Sequence, residues 1–484
     1  MTDHKALLKH SRNYLIANIA TKALLFISIP VYTRLLSIEE YGIINVFMST
    51  IAIVAVLLPL NSEVAIGRYY YDTESLNEFK RFVGSSINLA ICIMIATSAV
   101  FLIFVGYIAE MLSFSVLLTI SILPVALYSI INSIFEQIYN PMLQSKKIAI
   151  VSSVKTYVAF ALSIIFILLL KENKYMGYVW GTILAMFLLS MYLYRQIKPY
   201  YTCCFDKRHI KYIFNYCLPY LPYSLSGVIL AQFGRLFISN ESGFGKAGVY
   251  SFASNISMIM LVLIGVIHQA WNPYYFRHMN DNDRSSIDND YDFIWRTTLI
   301  IGVGVCMFGH EIGWLMGGEE FRQSLYILPL LVMGYTFYQW AYVYMRNSAY
   351  AKKTIWNAVS VIISGVSNIM LSYYLIPTYE EVGAALSFCL SYLILLIISY
   401  VINKAVLKVY APSFCLFLKP LIISVPFWLL GVILYFLYMP FLFVILVKVF
   451  AIILTIIILL YRYRIISFLL ESRRIKQALE NGGS

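Results

Sequence analysis

Charged residues are scarce in this chain of 484 residues. Asp, Glu, Lys and Arg together make up 12% of it, and 61% of it is hydrophobic, whereas soluble domains carry roughly 25% charged residues. So few charged groups cannot cover the water-exposed surface of a chain of this length. The composition therefore excludes a soluble enzyme and a secreted domain, and it predicts an integral membrane protein.

Sequence motifs for catalysis and metal binding are also missing. The sequence has no Walker A loop, no HExxH and no Gly-x-Ser-x-Gly, and its seven cysteines lack the spacing of a zinc or redox site. The connections between its apolar runs are short, so none can house a catalytic domain. We therefore expect a protein that is not an enzyme and that has no cofactor and no metal. The net charge of +12 indicates anchoring at the cytoplasmic face and no nucleic-acid partner.

Long apolar runs are what the sequence has instead. A helix that crosses the hydrocarbon core needs roughly 20 mostly apolar residues. Fourteen runs meet this length: 13–36, 41–66, 84–109, 116–140, 147–170, 175–197, 211–238, 246–272, 294–316, 325–346, 352–376, 383–404, 414–437 and 440–461. Most of the 36 basic residues lie in connecting segments on the same side as the N-terminus, and basic segments stay in the cytoplasm. The pattern predicts a multi-pass protein with both termini cytoplasmic.

An internal repeat organises these runs. Three pairs of residues recur at an offset of 206 residues: Gly42 and Gly248, Lys146 and Lys352, and Gly177 and Gly383. Six spans separate the copies, and an even number gives a parallel repeat about an axis along the membrane normal. We therefore predict an all-α membrane protein with two six-helix bundles and two additional helices. The predicted parts are 1–210, 211–410 and 411–484.

Ionisable residues inside the spans are the first candidates for function, because burying such groups in hydrocarbon is costly. Lys22 lies about nine residues into the first span, roughly 14 Å along a helix. Arg34 ends that span, and Arg235 takes the corresponding place at the end of the seventh. The alternatives are an interfacial position for the two arginines and a carbonyl-paired lysine in the bundle. Deep basic residues outnumber deep acidic ones, so a cavity lined by them is expected to attract an anion.

Three further polar residues lie near the predicted cytoplasmic ends of spans. Glu63 ends the second span, Arg68 follows five residues later, and His268 lies near the end of the eighth. A histidine titrates near neutral pH, so His268 is a candidate for coupling transport to protons. The alternative is a histidine that is simply hydrogen-bonded in place.

Four short motifs resemble those of a known family. Ile29–Gly42 (IPVYTRLLSIEEYG) resembles the first-loop signature of the polysaccharide-biosynthesis flippases, which belong to the multidrug/oligosaccharidyl-lipid/polysaccharide exporter superfamily. Gly248–Ser251 and Ala270–Pro273 resemble the eighth span of that family, and Met316–Phe321 resembles the loop after the ninth. The motifs occur in the family's order along the whole chain.

This resemblance implies a V-shaped pair of bundles around a cavity that opens alternately to the two faces of a bacterial inner membrane. The implied cargo is an oligosaccharide on undecaprenyl pyrophosphate, moved from the cytoplasmic to the periplasmic leaflet for O-antigen, lipopolysaccharide or capsule synthesis. The implied partners are membrane lipids, a coupling ion (H+ or Na+), and the polysaccharide polymerase and chain-length proteins.

By position, the resemblance assigns Arg34, Arg68 and Arg235 to the pyrophosphate, and Lys22 is added because of its depth. The last two spans are expected to form a groove for the lipid tail, with Lys448 facing the groove and the diphosphate. The alternative is that these spans pad the second bundle or mediate dimerisation.

Two other functions remain open. A drug or cation antiporter of the same fold needs buried carboxylates, and few are present in the predicted spans. A polysaccharide polymerase or ligase needs a sizeable periplasmic loop, and the predicted outer loops are short.

Overall fold

Helices form the described part of the chain, which in this computed structural model comprises residues 24, 26–436 and 441–460. The helices are α1 (26–35), α2 (Ile38–Leu57), α3 (Val64–Asp72), α4 (Leu76–Ile103), α5 (Val105–Met111), α6 (Val116–Ile120), α7 (Ile122–Tyr139), α8 (Ser145–Leu169), α9 (Lys174–Ile197), α10 (Lys207–Asn280), α11 (Arg284–Met307), α12 (Gly309–Met316), α13 (Leu328–Tyr350), α14 (Ile355–Ile402), α15 (Phe414–Phe436) and α16 (Phe441–Leu460). No strand occurs among these described residues. The predicted site residue Lys22 lies outside them.

Many of these helices are suited to a membrane. Nine helical stretches of the described chain are long and apolar enough to cross one, or ten if α11 and α12, which meet at 57°, form one bent span. The prediction of an all-α membrane protein is confirmed. Two helices, α10 with 74 residues and α14 with 48, are long enough for two crossings each. If α10 and α14 are each divided at their internal break, the helices are consistent with fourteen spans. The number fourteen stays a prediction.

The breaks in the two long helices are joined by an ion-pair cluster. Gly243 breaks α10 with a φ of 84°, in the left-handed region that glycine adopts at little cost. Glu380 breaks α14 with a φ of 47°. The ammonium group of Lys246 lies 2.6 Å from a carboxylate oxygen of Glu380 and 3.1 Å from one of Glu381. The two breaks are therefore held side by side.

The chain packs as two compact units, whose borders cut across the sequence repeat. The first unit comprises the described residues up to Ala253 together with Trp314–Ser324 and Ala358–Ser391. The second comprises Ser254–Gly313, Leu325–Asn357 and the described residues from Tyr392 onward. The first unit therefore contains segments of the second repeat copy. These segments include or flank the loops of that copy that are predicted to lie on the outer side of the membrane. The division into 1–210, 211–410 and 411–484 stays a prediction.

A close helix crossing inside the first unit involves the first repeat pair. A methyl group added to Gly42 in α2 would lie 2.0 Å from the carbonyl oxygen of Phe244, and one added to Gly248 in α10 would lie 2.1 Å from that of Ile38. Real Cβ atoms do not approach other atoms this closely, so only glycine fits at either position. The helix α2 begins just before the crossing with a capping box, in which Ser37 and Glu40 bond each other's backbone N–H groups.

Candidate substrate-binding site

The motif that contains Arg34 contacts the C-terminal end of α12 and the segment that follows it. The Thr33 hydroxyl donates to the carbonyl oxygen of Met316 at 2.7 Å, and the Arg34 guanidinium donates to that of Leu315 at 3.2 Å. The Tyr41 ring meets the Phe321 ring edge-on at 5.3 Å. Two of the motifs that resemble the flippase family, 29–42 and Met316–Phe321, are thus brought together in the first unit. Arg34 itself remains exposed, and its binding of pyrophosphate stays a prediction.

Arg235 is the most deeply buried of the predicted arginines, with 7% of its surface exposed. Its guanidinium donates to the side-chain oxygen of Gln232 at 2.7 Å, and Ser49 of α2 donates to the same oxygen at 2.9 Å. An arginine stays protonated even when buried, so this contact places a positive charge inside the first unit. Gln232 was not among the predicted site residues, although it lies one helical turn before Arg235 on the same face.

Glu63 and Arg68 lie in the first unit and differ in exposure. Glu63 is buried, and one of its carboxylate oxygens accepts a hydrogen bond from Ser133 at 3.3 Å. Arg68 is about half exposed and lies 3.1 Å from Asp72, one turn further along α3. Exposed pairs of this kind hold their partners weakly. Arg68 can therefore exchange Asp72 for another anion at little cost, and its role in binding stays a prediction.

Lys448 is held by the carboxylate of Glu311, which was not among the predicted site residues. Its ammonium group donates to both carboxylate oxygens of Glu311, at 2.7 and 2.9 Å, and it is 3% exposed. The cavity that it borders, beside His310 and Tyr326, has an interior volume of about 20 Å³, and a single water needs about 10–15 Å³. This cavity is too small for a diphosphate. The contacts of Lys448 therefore give no support to the predicted substrate role, which stays a prediction.

His268 lies against a second buried arginine in the second unit. Its Nδ1 atom accepts a hydrogen bond from the Arg346 guanidinium at 3.3 Å, and its ring packs on that of Tyr342 at 4.1 Å. Arg346 was not among the predicted site residues. Arg346 lies 78 positions from His268 in the sequence and is buried beside it by the packing of two helices, a relation that hydropathy does not reveal.

Comparisons with known proteins agree with this architecture. Residues 7–279 match the family model described as polysaccharide biosynthesis protein. Protein 1 of the Lsg locus of Haemophilus influenzae is 23% identical over 290 residues, which are 55% of this chain and 65% of that protein. The matched region thus spans less than two thirds of that relative.

Solved structures resemble this fold closely. The inward closed conformation of the lipid II flippase MurJ superposes with a TM-score of 0.70 at 16% identity and covers 93% of this chain and 99% of the flippase. An inward-facing multidrug resistance transporter of the MATE family, from the MOP superfamily, gives 0.66 at 14% identity and covers 81% and 98%. At these identities the likeness establishes the fold alone.

These comparisons define a multi-pass membrane transporter fold. The family model matches more than half of the chain, and the chain therefore belongs to the polysaccharide biosynthesis protein family. The resemblance proposed from the sequence motifs is confirmed.

Proposed function

We propose that this protein moves an oligosaccharide linked to polyprenyl pyrophosphate, of the O-antigen or capsule type, from the cytoplasmic to the periplasmic leaflet of a bacterial inner membrane. The observation that carries the proposal is membership of the polysaccharide biosynthesis family, in a chain whose fold resembles that of a lipid II flippase. Both termini are cytoplasmic in this proposal, and H+ or Na+ is the coupling ion.

The buried Arg235 supplies the chemical support for an anionic cargo. A pyrophosphate group carries its negative charge on several oxygens, and a guanidinium binds such oxygens through paired N–H donors. Arg235 is buried next to a neutral amide, where its charge is weakly screened and therefore acts strongly on an anion. We assign Arg34 and Arg68 to the same cargo as it approaches or leaves.

A cell-free transport measurement tests the proposal. Purified protein is reconstituted into liposomes that contain a polyprenyl-pyrophosphate-linked fluorescent sugar, and transfer between leaflets is followed with a membrane-impermeant quencher. We expect transfer with the wild-type protein, loss with Arg235→Ala and partial retention with Arg235→Lys, because a lysine keeps the charge and loses the bidentate geometry. Arg208→Ala is the matched control, because Arg208 is 80% exposed and forms an ion pair with the neighbouring Asp206.

Two results would contradict the proposal. One is transfer by Arg235→Ala at the wild-type rate. The other is a wild-type protein that leaves the lipid-linked sugar in place and instead carries a cationic dye across the membrane, which is the behaviour of the antiporters with the same fold.

A further inference from the structure

A buried cluster in the second unit presents hydrogen-bond donors that have no partner. Arg346 is 6% exposed, and its Nη1 group makes no hydrogen bond within the described part of the chain. None of the carboxylates in that part forms an ion pair with it. A buried guanidinium without a counter-charge is costly, since the protein interior compensates poorly for the lost water.

The side chains around Arg346 fix it in place without neutralising it. The guanidinium lies 5.0 Å from the ring centre of Tyr342, 5.2 Å from that of Trp271 and 5.8 Å from that of Tyr275. Aromatic faces attract a cation and leave its N–H groups unused. The rings are themselves anchored, because Trp271 donates to Asp290 at 3.0 Å and Tyr275 donates to Asn347.

His268 adds a second unused donor. A guanidinium can only donate hydrogen bonds, so the Nδ1 atom that faces Arg346 must be the unprotonated acceptor of the imidazole ring. The ring proton therefore sits on Nε2. This Nε2–H group is buried and makes no hydrogen bond in the described structure.

Gln339 adds a third polar group to the cluster. It is fully buried, and its amide faces His268 closely enough to interact with the imidazole ring, but neither its amide nitrogen nor its amide oxygen meets the geometry of a hydrogen bond within the described residues. The spacing explains the arrangement: Gln339, Tyr342 and Arg346 share one face of α13. His268, Trp271 and Tyr275 share one face of α10 in the same 3-and-4 pattern.

We propose that Arg346, His268 and Gln339 form a binding site for a phosphate-type oxyanion, separate from Arg34 and Arg235. Such an oxyanion accepts charge-assisted hydrogen bonds from donors of this kind and supplies the missing counter-charge. Tyr342 is partly exposed, in contrast to Trp271 and Tyr275, and its side of the cluster is the one from which we expect an anion to enter. The predicted topology puts the site at the cytoplasmic ends of its two helices, the side from which a lipid-linked diphosphate starts.

The test measures anion binding to the full-length protein in nanodiscs, independently of transport. The probe is inorganic pyrophosphate, and the readouts are calorimetry and the change in tryptophan fluorescence on binding. A Trp271→Phe variant should lose this fluorescence change, which assigns the signal to Trp271. We expect Arg346→Gln to weaken binding about ten- to hundredfold, as for the loss of a hydrogen bond to a charged group. We expect Arg346→Lys and Gln339→Leu to weaken it less. Arg277→Gln is the matched control, because it makes the same charge change at a position that is 79% exposed.

Unchanged pyrophosphate binding in Arg346→Gln, with the fluorescence change intact, would overturn the site. If Arg346→Gln does not fold, pyrophosphate binding is measured with Arg346→Lys, and unchanged binding in that variant would overturn the site. Competition by polyprenyl pyrophosphate in neutral nanodiscs indicates the cargo as the natural ligand, and competition by anionic phospholipid indicates a lipid headgroup; either supports the site. This site extends the proposed function without depending on it. The binding measurement can refute the site, and the leaflet-transfer measurement can refute the proposed function.

Discussion

The glycine crossing between α2 and α10 makes a strong prediction about stability. In Gly248→Ala the new methyl group would lie 2.1 Å from the carbonyl oxygen of Ile38, so the two helices must separate by roughly 1 Å to reach ordinary contact. Excess volume in a packed interior typically costs about 1–3 kcal/mol. Alanine recovers up to about 1 kcal/mol of that through its higher helix propensity. We expect a net loss of about 1–2 kcal/mol in the free energy of unfolding.

Gly245 provides the control within the same segment. A methyl group added there meets no other atom within 4 Å, so Gly245→Ala gains helix propensity without a steric cost. The assay is the thermal midpoint of the purified, detergent-solubilised protein, followed by size-exclusion chromatography. Gly248→Ala should fall below the wild type, and Gly245→Ala should equal or exceed it. Equal midpoints for the two variants would refute the close-packing argument.

Three further predictions concern other parts of the molecule. Lys448→Met should lower the thermal midpoint by an amount that corresponds to about 1–3 kcal/mol, since it leaves the 24% exposed carboxylate of Glu311 without its partner. Adding Glu311→Gln should restore most of the loss, and no recovery in the double variant would contradict the ion-pair explanation. In a cysteine-free background, a cysteine at Glu241 should react with an impermeant maleimide from outside the cell and one at Lys146 only after permeabilisation, and the reverse pattern would refute the topology. Gln232→Leu should reduce the protein's rate of leaflet transfer about tenfold, since the guanidinium of Arg235 loses a hydrogen bond that orients it. An unchanged rate would mean that Gln232 does not position Arg235.

Hydropathy and charge were sufficient to predict the fold class of this protein. Apolar runs of spanning length need no knowledge of tertiary contacts, because each helix satisfies its own backbone in the membrane. The long helices α10 and α14 show the limit of this argument: the runs on either side of Gly243 and Glu380 are visible in the sequence, but the helical continuity around the breaks is not.

The candidate site could be predicted only in part. Arg235 stands out in the sequence as a charge inside an apolar run, and the structure buries it. The partners of the predicted residues were missed, since Glu311 lies 137 positions from Lys448 and Arg346 lies 78 positions from His268. Contacts at such separations depend on how the helices pack. The repeated 3-and-4 spacing of polar and aromatic residues on α10 and α13 is the sequence signal that could have indicated the second cluster.

The contact of Thr33 and Arg34 with the loop Trp314–Ser324 has a consequence for evolution. Both side chains bond to main-chain carbonyl oxygens of the loop, at Met316 and Leu315, so the contact does not depend on which side chains the loop carries. Substitutions at positions 315 and 316 can accumulate without any compensating change at 33 or 34. Among relatives, we therefore expect positions 33 and 34 not to covary with positions 315 and 316, even though these hydrogen bonds join segments about 280 residues apart.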